Sequence, residues 1–260
     1  MPGNLRSHMY QLFAVALSPL VAFALWSLAF GALVPAAIAL GSAAVQETKP
    51  SVPTPAAIIE KHITAIGGRD ALRSVKTMVI RGRNVGLGTE DRPLVRYLKR
   101  PHLLRQQDVP GATTFIASDG VKVYQVNASG RTEMKQAWTA ALLHTTIDNA
   151  LLEDTRQGIR YDYLGSEGTR TGPWTFHHLK RTFPDGYSED LYFEAESGLL
   201  RMVIEDNGRA KRVYYEYRDV GGIRYPHLWA TVFDGREPPH LFVVDEVKVN
   251  VTLDEGFFLK

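Results

Sequence analysis

Leu241-Phe242-Val243-Val244-Asp245-Glu246-Val247-Lys248-Val249-Asn250-Val251 is the stretch that decides the fold. Successive side chains of a strand point to opposite faces. Leu241, Val243, Val247, Val249 and Val251 therefore fall on one side, and Phe242, Val244, Glu246, Lys248 and Asn250 on the other. Asp245 lands on the apolar side, where it either pairs with a base or marks a rim. Working back along the chain, Val213, Tyr215 and Tyr217 oppose Tyr214, Glu216 and Arg218, and Leu200, Met202 and Ile204 share a side. The same period of two predicts strands over 77–86, 94–99, 103–108, 113–118, 121–127, 159–165, 174–183, 188–194, 200–206, 211–219 and 225–233. Asp119-Gly120, Ser129-Gly130, Ser197-Gly198, Asn207-Gly208, Gly221-Gly222 and Asp234-Gly235 separate them. Such turns join hairpins, so the sheet is antiparallel and the topology a meander, not a series of βαβ units.

Helical material is scarce. Thr54 and Pro55 open a helix as N-cap and first helical residue, Ile58, Ile59, Ile63 and Ile66 recur at helical spacing, and Gly67-Gly68 ends it. A short helix over 70–75 follows, and the stretch 136–144, extended by 148–152, is helix-like and interrupts the meander. The fold class is thus mainly β: a strongly curved antiparallel sheet or incomplete barrel of about 11–12 strands, since a sheet that long curls. Its few helices cover the concave side, over either a filled core or a cavity under a lid.

The N-terminus is of another kind. Arg6 precedes an apolar run over 9–45, no acidic residue occurs before Glu47, and the run ends in Gly41-Ser42-Ala43-Ala44. Residues 1–45 read as a cleaved signal peptide or an N-terminal membrane anchor, 46–53 as a proline-containing linker and 54–260 as the exported domain. This segment engages the membrane or the export machinery. The domain is placed outside the cytoplasm, periplasmic or tethered to the inner membrane. The chain has no cysteine, which removes disulfides, thiol catalysis and cysteine-ligated metals. A net charge of +2, with bases interleaved among acids, argues against a nucleic-acid partner.

Two phrases add a family resemblance. Tyr97-Leu98-Lys99-Arg100-Pro101-His102-Leu103 resembles the Lys-Arg-Pro-x-Leu element of the periplasmic lipoprotein carrier LolA, and Ser118-Asp119-Gly120-Val121 is similar to the hairpin that follows it. Tyr217 to Pro226, Asp245 to Asn250, Phe257-Phe258 and Gly67-Gly68-Arg69-Asp70-Ala71-Leu72 look like phrases of the wider outer-membrane lipoprotein-sorting family. The resemblance implies an incomplete barrel with a helical lid over a hydrophobic cavity for lipid or lipoprotein acyl chains, without catalysis or cofactor. It also implies that Arg100, beside Pro101, bonds the lid backbone and helps control opening. The plain reading of Arg100 is a solvated strand-end residue.

The expected lining is Leu200, Met202, Ile204, Val213, Tyr215, Tyr217, Val243, Val247 and Val249, with Trp138, Leu142 and Leu143 on the lid. An envelope sensor or protein-interaction domain on the same fold is the alternative, with envelope proteins as partners. His177 and His178 are adjacent on a strand and point to opposite faces, so they do not share a metal. No Gly-x-Ser-x-Gly elbow, glycine-rich phosphate loop or facing carboxylate pair is present, so no catalytic residue is expected.

Overall fold

The computed structural model describes residues 52–85, 90–135, 139–144, 147, 158–169, 172–205, 208–233, 235 and 239–259. The expected signal or anchor, most of the linker, and Trp138 lie outside these residues.

Among the described residues the strands form one antiparallel sheet of 13. The first half runs outward through β1 (Thr77–Val85), β2 (Arg92–Lys99), β3 (Leu103–Gln107), β4 (Phe115–Ser118), β5 (Val123–Asn127) and β6 (Gly130–Met134). The second half comprises β7 (Arg160–Gly168), β8 (Thr175–Thr182), β9 (Ser188–Glu194), β10 (Leu200–Glu205), β11 (Ala210–Val220), β12 (Ile223–Phe233) and β13 (His240–Val249). The spatial order is β6-β5-β4-β3-β2-β1-β13-β12-β11-β10-β9-β8-β7. The chain meanders out to one edge at β6, restarts at the opposite edge with β7, and meanders back until its last strand pairs with its first. The sheet is open, with β6 and β7 as its edges.

The additional strand is β6. Gly130 to Glu133 are exposed, so this edge carries no apolar alternation, and beyond its backbone pairing with β5 the Arg131 guanidinium lies 5.1 Å from the Tyr124 ring.

Bulges break the period of two, and they correct the expected faces. Between β1 and β13 the register slips at Arg81/Gly82, where Arg81 faces Glu246 but Gly82 faces Val244. Asp245 is the extra residue. Phe242 and Val244 therefore point into the core before the bulge and Val247 and Val249 pack against it afterwards. Val243, paired with Leu228, lies on the outer face. Asp245 itself is exposed and pairs with Arg83 at 2.5 Å. Gly82 is required here, because a Cβ would sit 2.7 Å from the Phe242 ring. A second slip between Leu200 and Met202 leaves Leu200 and Val203 inside and turns Met202 and Ile204 outward. On β11, Arg212 pairs with inward Val203 and Tyr214 with inward Trp229, so Val213 and Tyr215 face out. Glu216 then takes a left-handed backbone (φ 50°), and beyond it Tyr217 lines the same cavity as Tyr214. Bulges also bend and twist strands, and this sheet uses them to curve.

Helix α1 (Pro55–Ala65) is capped by the Thr54 hydroxyl, which accepts from the Ala57 N–H at 3.2 Å. It buries Ile58, Ile59 and Ile63 on the inner face, and α2 (Arg69–Ser74) adds Leu72 and the following Val75. The α1 end is pressed on the sheet: Gly67 (φ 122°) would place a Cβ 2.5 Å from Gly222 O, and the Arg224 N–H donates to Ile66 O at 2.9 Å. In the interrupting segment, α3 (Thr139–Leu143) is followed by His144, which stacks on Phe183 at 3.7 Å and contacts Asp185 at 3.0 Å. Leu142 and Ile147 pack against the inner core.

Helical cover was expected on the concave side alone, yet the outer face is also covered. The C-terminal tail, ending in α4 (Gly256–Leu259), lays Val251, Leu253, Phe257, Phe258 and Leu259 over Val79, Val95, Tyr97 and Leu103. Arg105 lies 3.6 Å from the Phe115 ring and 4.4 Å from the Phe257 ring, and donates to Gln107 Oε1 and Phe257 O, both at 2.7 Å.

Candidate functional site

A cavity of about 100 Å³ lies on the concave face beneath α1 and α2. Its apolar wall comes from Ile66 of the α1 end, Leu72 of α2, Ile80 of β1, Leu98 of β2, Leu200 of β10 and Ile223 of β12. Its polar wall comes from His62, Arg96, Arg212 and Arg224, with Tyr214, Tyr217, Tyr225 and Trp229 between the two. No aspartate or glutamate is among the described residues that line it. Sites for drug-sized ligands span about 300–1,000 Å³. This cavity therefore holds a head group or a few waters at rest, and a long chain enters only if the helices move.

Each polar side chain is set by its element. Arg96 follows Leu94 and precedes Leu98 at the strand period, and both leucines are core residues. The guanidinium is thereby carried inward, 5.8 Å from the Trp229 ring and 5.9 Å from Phe242. Its Nε–H donates to Gln106 Oε1 at 2.9 Å. Burial, and then the nearby Arg212, hold its pKa below the ordinary arginine value. Arg212 donates from Nη1 to Glu205 at 2.7 Å, while its buried Nε–H has no acceptor. The Tyr217 hydroxyl donates to Leu200 O at 2.7 Å. Burial pushes Tyr225 up to about 12 and raises Tyr217 as well, so both are neutral phenols at neutral pH.

His62 joins the cavity to the cover. Its Nδ1–H donates to Gly198 O at 3.0 Å in the β9–β10 turn. Burial lowers its pKa to about 4, which leaves it neutral. Lys61 donates to Ala195 O in the same turn at 2.7 Å. Helix α2 is held from below: Arg100 donates from Nε to Val75 O at 2.8 Å and from Nη2 to Leu72 O at 3.0 Å. A planar fork that spans two carbonyls is a geometry lysine cannot supply. Arg100 is thus bonded to the backbone of an inner-face helix; Pro101 beside it is exposed.

Of the residues expected to line the hollow, Leu200 and Tyr217 do so. Val247, Val249 and Leu142 pack at the edge of the inner core, and Leu143 is half-buried outside it. Met202, Ile204, Val213, Tyr215 and Val243 lie on the opposite face for the bulge and pairing reasons above, and Trp138 is not among the described residues. The cationic lining was missed. Its signal was present in Leu94-x-Arg96-x-Leu98, a base at an apolar position of a strand. No group of three metal-binding side chains occurs among the described residues.

No protein-family model matches the sequence, and no curated protein matches it by sequence. Solved structures do match. A LolA superfamily protein from Nitrosomonas europaea superposes with a TM-score of 0.55 at 12% identity, covering 80% of this chain and 99% of the other. The chain has a LolA-like fold. A DUF1329 family protein from Desulfovibrio piger gives 0.52 at 12% identity, over 78% of this chain and 95% of its own. A candidate outer membrane lipoprotein-sorting domain from Vibrio parahaemolyticus gives 0.47 at 12% identity, over 77% and 97%. The LolA-like sheet is an open one here, not a closed barrel.

Proposed function

We propose that this domain binds the acyl chain of a lipid or lipoprotein on its concave face and carries it through the cell envelope without making or breaking a bond. The observation that supports this most is the half-apolar cavity between the curved sheet and two small helices, in a fold shared with a LolA superfamily protein. Binding energy would come from hydrocarbon leaving water, about 0.8 kcal/mol per methylene.

In this reading α1 and α2 are the lid. Polar contacts pin them at their ends, among them His62 and Lys61 on the β9–β10 turn, Ile66 at the start of β12 and Arg100 under α2. Each net hydrogen bond is worth about 0.5–1.5 kcal/mol, and opening also exposes Ile58, Ile63 and Leu72, so the entering chain must bury comparable hydrocarbon to offset the loss. Arg100 is the proposed latch. Export across the inner membrane follows from the N-terminal apolar run. No described helix is long and apolar enough to cross a membrane.

The test is a chain-length series on delipidated protein. Affinity for saturated fatty acids should rise severalfold with each added methylene until the space is filled. Affinity that is flat with chain length, or no binding at all, contradicts the proposal.

A further inference from the structure

We propose that the cavity is a receptor for the terminal oxyanion of an acyl amphiphile, a carboxylate above all, gripped by Arg96 with Arg212 and Arg224 beside it. This rests on the acyl-binding reading and adds the head group to it.

Three observations carry the assignment. The first is the missing counter-charge. The arginines of the neighbouring wall have carboxylate partners: Arg181 pairs with Glu189, and Arg212 with Glu205. Arg96 makes no ion pair among the described residues; its side-chain hydrogen bond is the one from Nε–H to Gln106, and Glu205 attracts it only from beyond ion-pair distance. Arg96 is half-buried, and a cation drawn part-way into an apolar wall without an ion-pair partner is costly to keep. What the fold obtains from it is a hydrogen bond to Gln106 and the contacts with the Trp229 and Phe242 rings, and no ion pair.

The second is the direction of the free donors. The Nε–H of Arg96 is used on Gln106, and the two rings of Trp229 and Phe242 back the guanidinium. Its remaining fork belongs to the lining of the cavity. The Nε–H of Arg212, on the same lining, is a second buried donor without an acceptor. Donors in a fixed fork match the two oxygens of a carboxylate or the edge of a phosphate.

The third is the shape of the chemistry. The cations sit beside the apolar wall of Ile66, Leu72, Ile80 and Ile223, Ile80 being directly across the strand pair from Arg96, and no acid is among the described lining residues. A bare inorganic ion uses only one of these walls, and a neutral alkane uses only the other. A carboxylate with its first methylenes uses both, and about 100 Å³ accommodates that end of the molecule. The rest of the chain then follows beneath the helices.

Calorimetry on the delipidated full chain at pH 7 tests this with decanoate, decanol and inorganic phosphate. Decanoate should bind at least about tenfold more tightly than decanol, about 1.4 kcal/mol. Phosphate alone should bind far more weakly than decanoate. In Arg96→Met the preference should fall to within about twofold, chiefly through weaker decanoate binding; Arg96→Lys should keep part of it. Equal affinity for decanoate and decanol in the unaltered protein overturns the head-group assignment and leaves acyl binding intact. Binding of neither overturns both. Phosphate binding as tightly as decanoate overturns the amphiphile and leaves a small-anion site. Should Arg96→Met fail to fold, the acid-to-alcohol ratio in the unaltered protein and in Arg96→Lys still decides.

Discussion

Arg181 and Arg96 stand on two walls of the same concave face, and the two walls solve the same problem differently. On the β8–β9 wall Arg181 bonds Glu189 directly across the strand pair, both groups are almost wholly buried, and the Phe183 ring lies 4.9 Å away. On the β2 wall Arg96 has aromatic rings and one glutamine but no acid. The first is a closed structural unit. The second is a half-buried charge with no carboxylate at ion-pair distance among the described residues. The lesson is that burial alone does not mark a charge as a candidate site; what singles out Arg96 is the lack of an ion pair on the wall of a cavity.

The contrast can be broken by substitution. Arg181→Met strands Glu189 in the interior, and breaking a buried pair from one side costs about 3–5 kcal/mol. Chemical denaturation should show that loss. Arg96→Met removes a charge that nothing pairs, so the same measurement should show no loss or a gain. Equal losses at both positions would mean that Arg96 is structural after all. A comparable loss is expected at the other end of the molecule: Phe258 is fully buried beneath the outer face, and Phe258→Ala should cost about 3–5 kcal/mol while leaving ligand affinity unchanged.

The pH dependence sharpens the role of the cover. His62 has a folded pKa of about 4 against an ordinary value of 6.5. The unfolded chain therefore binds the proton first as pH falls. Stability should be full above pH 6.5 and fall by about 3 kcal/mol down to pH 4. His62→Gln should flatten that slope in melts followed across the range. At the small end, Glu246 and Arg81 form an exposed pair at 2.9 Å, and Glu246→Gln should leave the denaturation midpoint essentially where it is.

The meander was legible in the sequence because Asx-Gly turns and apolar alternation are local signals. The strand meeting of β1 and β13, the helix of Ile58 to Ile63 and its Gly67-Gly68 stop all sit where such signals place them or follow from the fold they specify. What alternation could not carry was the face of each residue past a bulge. One extra residue at Asp245 exchanges Val243 for Val244 in the core, and one at the start of β10 exchanges Met202 for Val203. A bulge is set by a close approach elsewhere, here the Phe242 ring over Gly82, which pattern alone does not reveal. The exposed β6 left no apolar trace. The C-terminal tail was readable as apolar but not as a second cover, since its contacts are with strands about 150–180 residues earlier in the chain. Arg96 was readable and was passed over because a base between two leucines looks like a solvated position until the sheet curls around it.

The acyl-binding account is tested most directly by mass spectrometry of the lipids that leave with the full chain when it is purified gently from the cells that make it. The account predicts near-stoichiometric single-chain amphiphiles bearing a terminal anionic group, depleted in Arg96→Met. Protein that emerges free of lipid, and that takes up no fatty acid when one is offered, would contradict it.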